Sequence, residues 1–152
     1  PVAPINPTGN LDNDIAAVKS LLAGKTILGI PNTCLSPDLY GLEKYGVHSK
    51  VFKGGVNELA PAILNGDAEL TLLDVPDVMV ALEKWPGQIK VIGPISHKQL
   101  MAVAFDRSSP DLRDAFNDFL SQSKATGTYL ELVEKYYPSI KLYFPDFFTY
   151  KQ

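Results

Sequence analysis

Apolar and polar positions along the chain switch between a helical period and short unbroken apolar runs. From Asp12 to Leu22, the residues Ile15, Val18, Leu21 and Leu22 recur at the spacing of a helix that buries one face. Gly24 stands where that helix should stop, and Lys25 follows as a polar break. Thr26 to Ile30 is short, apolar and β-branched, which predicts a buried strand. Ser36 and Pro37 offer an N-cap and a proline at the first helical position, ahead of an apolar stripe of Leu39, Tyr40 and Leu42. A helix is expected there. Residues 49–53 predict a strand, Gly54-Gly55 a turn, and Asn57 to Leu64 a helix closed by Asn65-Gly66. Glu69 to Leu73 reads as another strand, and Pro76 opens a helix to about Lys84. Trp85-Pro86-Gly87 breaks it, with Trp85 expected to cap the edge of the sheet, and Ile89 to Ile92 predicts a fourth strand.

Strand and helix thus alternate four times at roughly twenty-residue spacing, the rhythm of an α/β fold: an open, mostly parallel sheet with helices on both faces. After Gly93-Pro94 the rhythm changes. Leu100 to Phe105 predicts one more strand. Two helices are expected next, Pro110 to Ser123 with Leu112, Phe116, Phe119 and Leu120 inward, and Gly127 to Tyr137 with Tyr129, Leu132, Val133 and Tyr136 inward. The tail from Lys141 carries Tyr143, Phe144, Phe147, Phe148 and Tyr150. Residues 127–152 hold eight of the fifteen aromatics, so dense a cluster that it calls for a surface to pack on.

Composition narrows the class. A chain of 152 residues with 45% hydrophobic residues is long enough for a real core and too apolar for a disordered segment. A formal net charge of −3, with no basic block, argues against nucleic acid as a partner. No apolar run reaches the roughly 18 residues of a membrane span. The lone Cys34 excludes an internal disulfide. Three prolines in the first seven residues make 1–9 an extended lead-in. The chain opens on Pro1 with no visible signal peptide, so a processed chain or a piece of a longer one is expected.

The chemistry-bearing residues are few. His48 and His97 have no neighbouring His or Cys at coordinating spacing, so no metal is expected. Cys34 follows a strand, but a small half-buried thiol is the common reading and no catalytic residue is assigned. Gly54-Gly55 lacks the context of a phosphate loop, and no cofactor motif follows any strand. An open parallel sheet does offer the loops at the carboxyl ends of its strands, where helix N-termini favour anionic groups. Here these are Pro31 to Ser36, Gly54 to Asn57 and Asp74 to Pro76. The first brings Asn32, Thr33 and Cys34 ahead of an expected helix start and suits a carboxylate. The third brings Asp74, which either receives an ammonium group or simply caps the helix after it. The residues alone leave binder and enzyme open.

Four stretches go further: "LLAGKTILGIPNT", "VNELAPAILNGDAELTLLD", "IKVIGPIS" followed by "QLMAVAF", and "SPDLRDAFNDFLSQSKATGTYLELVEKYYP". In this order and spacing, over about residues 14–138, they resemble the second lobe and C-terminal segment of type II periplasmic solute-binding proteins, the polar amino-acid-binding family. The last stretch, with its Gly-Thr-Tyr turn and Lys-Tyr-Tyr end, is the most specific. The resemblance implies two α/β lobes that close on a small polar solute, amino-acid-like, and present it to the membrane permease of an ABC-type transporter. It places the protein in the periplasm or another extracytoplasmic space, with a lipid anchor in the full-length precursor as one form. Thr33 matches the family's carboxylate-receiving threonine, Asp74 its ammonium-receiving aspartate, and Glu69 a structural acid. Asn32, Cys34 and Asn57 complete the set of expected ligand-loop residues. Pro31-Asn32-Thr33-Cys34 departs from the family's glycine-threonine-threonine and is a residue shorter.

The resemblance also implies a first lobe of about ninety residues ahead of residue 1. On that reading residues 1–9 leave the first lobe, 10–95 form the second, and 96–152 return to the first. The chain alone is then expected to bind solute weakly or not at all, and dimerisation or swapping through the C-terminal elements is an open possibility. Two other classes share the fold. One is the sensing domain of a signalling receptor; the other is a dehydratase-type enzyme, for which Glu43, Glu58, Asp74 and Asp77 are the nearby acids.

Overall fold

A computed structural model describes residues 3–143. The chain forms two compact units, divided between Gln99 and Leu100. The first is a small α/β unit. Its three strands, β1 (Thr26–Gly29), β2 (His48–Val51) and β3 (Leu70–Thr71), form a parallel open sheet in the order β2-β1-β3. Register pairs Ile27 with Ser49 on one side and with Leu70 on the other. His48 N–H to the Lys25 carbonyl at 2.8 Å and Phe52 N–H to the Gly29 carbonyl at 2.9 Å extend the β1–β2 ladder at both ends.

Helix α1 (Leu11–Leu21) precedes the sheet, α2 (Val56–Leu64) joins β2 to β3, and α3 (Val75–Lys84) follows β3. Asn10 caps α1 by accepting the Asn13 N–H at 3.1 Å. Buried Asp14 clips the lead-in to α1, accepting from the Thr8 N–H at 2.9 Å and its hydroxyl at 2.8 Å. The core gathers Val18 and Leu22 of α1, Ile27 and Leu28 of β1, Leu42 and Leu59. Lys25 and Glu69, 2.7 Å apart, tie the starts of β1 and β3, and Glu69 also accepts the Thr26 N–H at 3.2 Å. Those two bonds hold the Glu69 carboxyl below its usual range, so it stays ionised where it serves this structural role. Trp85 ends α3, its N–H on the Ala81 carbonyl at 3.0 Å, with the Lys84 ammonium 5.9 Å from the ring centroid.

Two expectations change in this unit. The helix foreseen after Ser36 is two short 3-10 turns, Pro37–Tyr40 and Leu42–Tyr45. Gly41 between them is left-handed, at φ 61°, which no continuing helix accommodates. The fourth strand, at 89–92, does not form; Ile92 instead accepts the Ile5 N–H of the lead-in at 3.0 Å. A strand exists through its partner's ladder, and two-residue β3 offers little edge to join.

The described residues of the second unit are helical: α4 (Pro110–Ala125), α5 (Thr128–Tyr136) and α6 (Ile140–Tyr143). The strand expected at 100–105 is absent, since this unit holds no described strand for it to pair with, and Leu100 is 88% exposed. The two foreseen C-terminal helices are present and pack on each other as α4 and α5. Phe105 and Phe116 meet with tilted rings, centroids 5.5 Å apart, and Lys141 pairs with Glu134. Leu112, Phe119, Leu132 and Tyr136, expected inward, are exposed, because the contact between α4 and α5 covers only part of each stripe. The aromatic tail from Phe144 onward lies outside the described residues.

Gly29 ends β1 against the returning loop. A Cβ there would run into the Pro37 ring and stand 2.8 Å from the Leu35 carbonyl oxygen. Gly29→Ala is therefore expected to cost about 2 kcal/mol in urea unfolding. Leu39→Ala, at an exposed position, should stay within about 0.5 kcal/mol. An unchanged midpoint for Gly29→Ala would contradict this close approach.

Candidate functional site

Parallel strands put all their carboxyl ends at one edge. The order β2-β1-β3 makes the chain step one way from β1 to β2, then back across β1 to β3. Right-handed crossovers then send the connection from β1 to β2 and the connection from β2 to β3 to opposite faces, and α3 packs beside α2. Consistent with this, α1 packs on the second 3-10 turn, whereas α2 packs on β3 and α3. The crevice where such loops part lies between β1 and β3.

Cys34, from the loop after β1, and Asp74, from the loop after β3, meet there. The thiol donates to the Asp74 Oδ2 at 3.4 Å. Asp74 holds the N-cap position of α3, with extended backbone, yet its carboxylate makes no cap hydrogen bond and is committed to the Cys34 loop instead. Asp77 stands in the first turn of the same helix. Burial, followed by the charge of Asp74, raises the Asp77 carboxyl above its ordinary value. Cys34, expected half-buried, is exposed, yet the little desolvation it meets raises its thiol, as do its hydrogen bond to Asp74 and the charges of Asp74 and Asp77, against a smaller opposing effect of its own backbone N–H. The mouth is acidic, and it keeps the thiol protonated.

Thr33 is placed in the same loop but its hydroxyl is used locally. It donates to the Ile30 carbonyl at 2.7 Å and accepts the Leu35 N–H at 3.1 Å. With its single proton spent, it has none to give a carboxylate. The expected helix start beyond it is a four-residue 3-10 turn, a weaker dipole than the α-helix foreseen. Asn32 is exposed, with left-handed backbone at φ 60°. Asn57 sits exposed in the first turn of α2, where Glu58 accepts the Gly55 N–H at 2.7 Å. Among the described residues no hydrogen bond joins Asn57 to Cys34 or Asp74. The sequence-predicted set is therefore split: Cys34 and Asp74 meet, Asn32 and Thr33 belong to the Cys34 loop, and Asn57 stands apart in the first turn of α2.

Of the four acids named for an enzyme, Asp74 and Asp77 line the crevice, Glu58 is held by the Gly55 amide, and Glu43 is exposed in the second 3-10 turn. Two residues with no such role in the sequence reading also reach the Cys34 loop. The Tyr40 hydroxyl donates to the Cys34 carbonyl, and Gln99 Nε2 donates to that hydroxyl at 3.0 Å. Gln99 lies 59 residues from Tyr40, and no spacing rule connects them.

A cavity of about 30 Å³ beside the crevice, lined by Gly29, Pro37, Ser49 and Lys50 among others, holds no more than a water. In the second unit a hollow of about 230 Å³ is lined by Val103, Phe105, Arg107, Pro110 and Arg113 and shares no residue with the predicted site. Among the described residues no group of three or more His, Cys, Asp or Glu side chains is placed to hold a metal ion. No described helix is long and apolar enough to cross a membrane.

No protein-family model matches the chain, and no solved structure matches it.

The acidic crevice has a direct chemical consequence. Replacing Asp74 by Asn removes a nearby negative charge while leaving a weaker, neutral amide acceptor, so the thiolate becomes easier to form. The pH midpoint for alkylation of Cys34 is expected to fall in Asp74→Asn relative to the unaltered chain. An unmoved midpoint would mean that the thiol and this carboxylate are not partners.

Proposed function

We propose that the chain is the second lobe and C-terminal segment of an extracytoplasmic solute-binding protein. It captures a small polar, amino-acid-like solute for the permease of an ABC-type uptake system. The observation that carries this reading is the meeting of the Cys34 and Asp74 loops at the carboxyl edge of a parallel sheet. The order of the four family-like stretches supports it. A type II periplasmic-binding-protein lobe is the finer form of the α/β fold that we propose here.

The chemistry favours the ammonium end of the solute. Asp74 and Asp77 crowd two carboxyls into one mouth, and a bound cation relieves that repulsion. The carboxylate end has less to meet, because Thr33 spends its proton on Ile30. The Cys34 thiol donates to Asp74, and the two acids raise it, which disfavours the thiolate a nucleophile needs. Residues of a first lobe would complete the site.

Titration with three probes tests this by backbone NMR of the 152-residue chain: L-lysine, cadaverine, which lacks the carboxylate, and hexanoate, which lacks the amine. Lysine and cadaverine are expected to move the amides of residues 32–34 and 73–77 with dissociation constants of about a millimolar or weaker. Hexanoate should not, and Asp74→Asn should abolish the shifts. Shifts with hexanoate alone would overturn the ammonium assignment. Micromolar binding by this chain alone would overturn the proposal that a first lobe completes the site.

A further inference from the structure

Tyr40 is held at four points. Its ring packs against the buried core. Its carbonyl accepts the Lys19 ammonium of α1 at 2.9 Å. Its hydroxyl donates to the Cys34 carbonyl and accepts from Gln99 Nε2 at 3.0 Å. A phenol has one proton and two lone pairs; the Cys34 carbonyl takes the proton and the Gln99 amide takes a lone pair. Gln99 is steadied in turn by the Ser96 hydroxyl at 3.4 Å. Left-handed Gly41, directly after Tyr40, ends the first 3-10 turn with its N–H on the Asp38 carbonyl at 3.3 Å, and so fixes where the ring is delivered. One oxygen atom, anchored through a ring in the core, is therefore shared by the loop that carries Cys34 and by the segment 96–99 that ends the first unit.

We propose that Tyr40 is the positioning residue of the crevice, its hydroxyl holding the Cys34 loop and the 96–99 segment to each other so that the thiol stays on Asp74. The Cys34 carbonyl and thiol belong to one residue, so moving the carbonyl off Tyr40 moves the thiol off Asp74. Gln99 shares the same hydroxyl, and a displacement at either end reaches the other through that atom. This inference goes beyond the solute-binding proposal and does not depend on it.

Tyr40→Phe tests it, since the ring stays and only the oxygen leaves. Without added solute, alkylation of Cys34 by iodoacetamide at fixed pH is expected to speed up about two- to tenfold, the factor that one net hydrogen bond represents. Amide exchange should quicken at both 33–36 and 96–99, while the amides of Ile27 and Leu28 stay protected. Gln99→Leu leaves Tyr40 in place and should move the thiol rate in the same direction. In an Asp74→Ala background, which has neither carboxylate nor amide oxygen to accept the thiol, the effect of Tyr40→Phe on the thiol should vanish. A merely structural tyrosine would instead loosen the core amides and leave its effect intact in that background. The proposal is overturned by an unaltered thiol rate in Gln99→Leu, by exchange changes confined to 33–36, or by an acceleration that persists with Asp74→Ala.

Discussion

The first unit depends on burying β1 between two parallel neighbours. Ile27 and Leu28 are adjacent, point to opposite faces, and are both about 1% exposed. Both faces of the central strand must therefore be covered. A parallel neighbour cannot be reached by a hairpin, so the chain must leave the sheet and return each time. That requirement brings the 3-10 turns over one face and α2 over the other, and it gathers every loop that follows a strand at one edge. The crevice is a by-product of the ladder.

The chemistry of the crevice follows from its position. Asp74 stands at the start of α3 with its carboxylate turned to Cys34 rather than to its own helix, so the first turn of α3 adds Asp77 to the same mouth. Two carboxyls and a thiol thus share the start of one helix, where burial and the charge of Asp74 raise the Asp77 carboxyl. The loop opposite spends its threonine on its own backbone. The pairing at Lys25 and Glu69 lies at the opposite end of the same strands, where it holds β1 and β3 in register without entering the crevice.

Local pattern made much of this legible. Ile15, Val18 and Leu22 announced α1, the Asn65-Gly66 turn marked the end of α2, and the apolar run at Thr26 marked β1. Cys34 and Asp74 were both named because they follow strands, and parallel topology then brings them to one edge. Three features needed the tertiary structure. Gly41 overrides the helical stripe of Leu39, Tyr40 and Leu42, a left-handed residue defeating a pattern that apolar spacing alone supports. Residues 89–92 and 100–105 have strand-like composition, yet a strand needs an edge, and no local pattern reports whether one is free. Tyr40 and Gln99 meet across 59 positions, and nothing in either neighbourhood marks the partnership.

The central claim is that β1 lies between two parallel partners, because the crevice has no other cause. Amide and α-proton nuclear Overhauser contacts from Ile27 and Leu28 in the isotope-labelled chain test it directly. Contacts to Ser49 and Lys50 on one side and to Leu70 and Thr71 on the other, both with the spacing of parallel strands, are the expected result. An antiparallel pattern, or contacts on one side only, would contradict it.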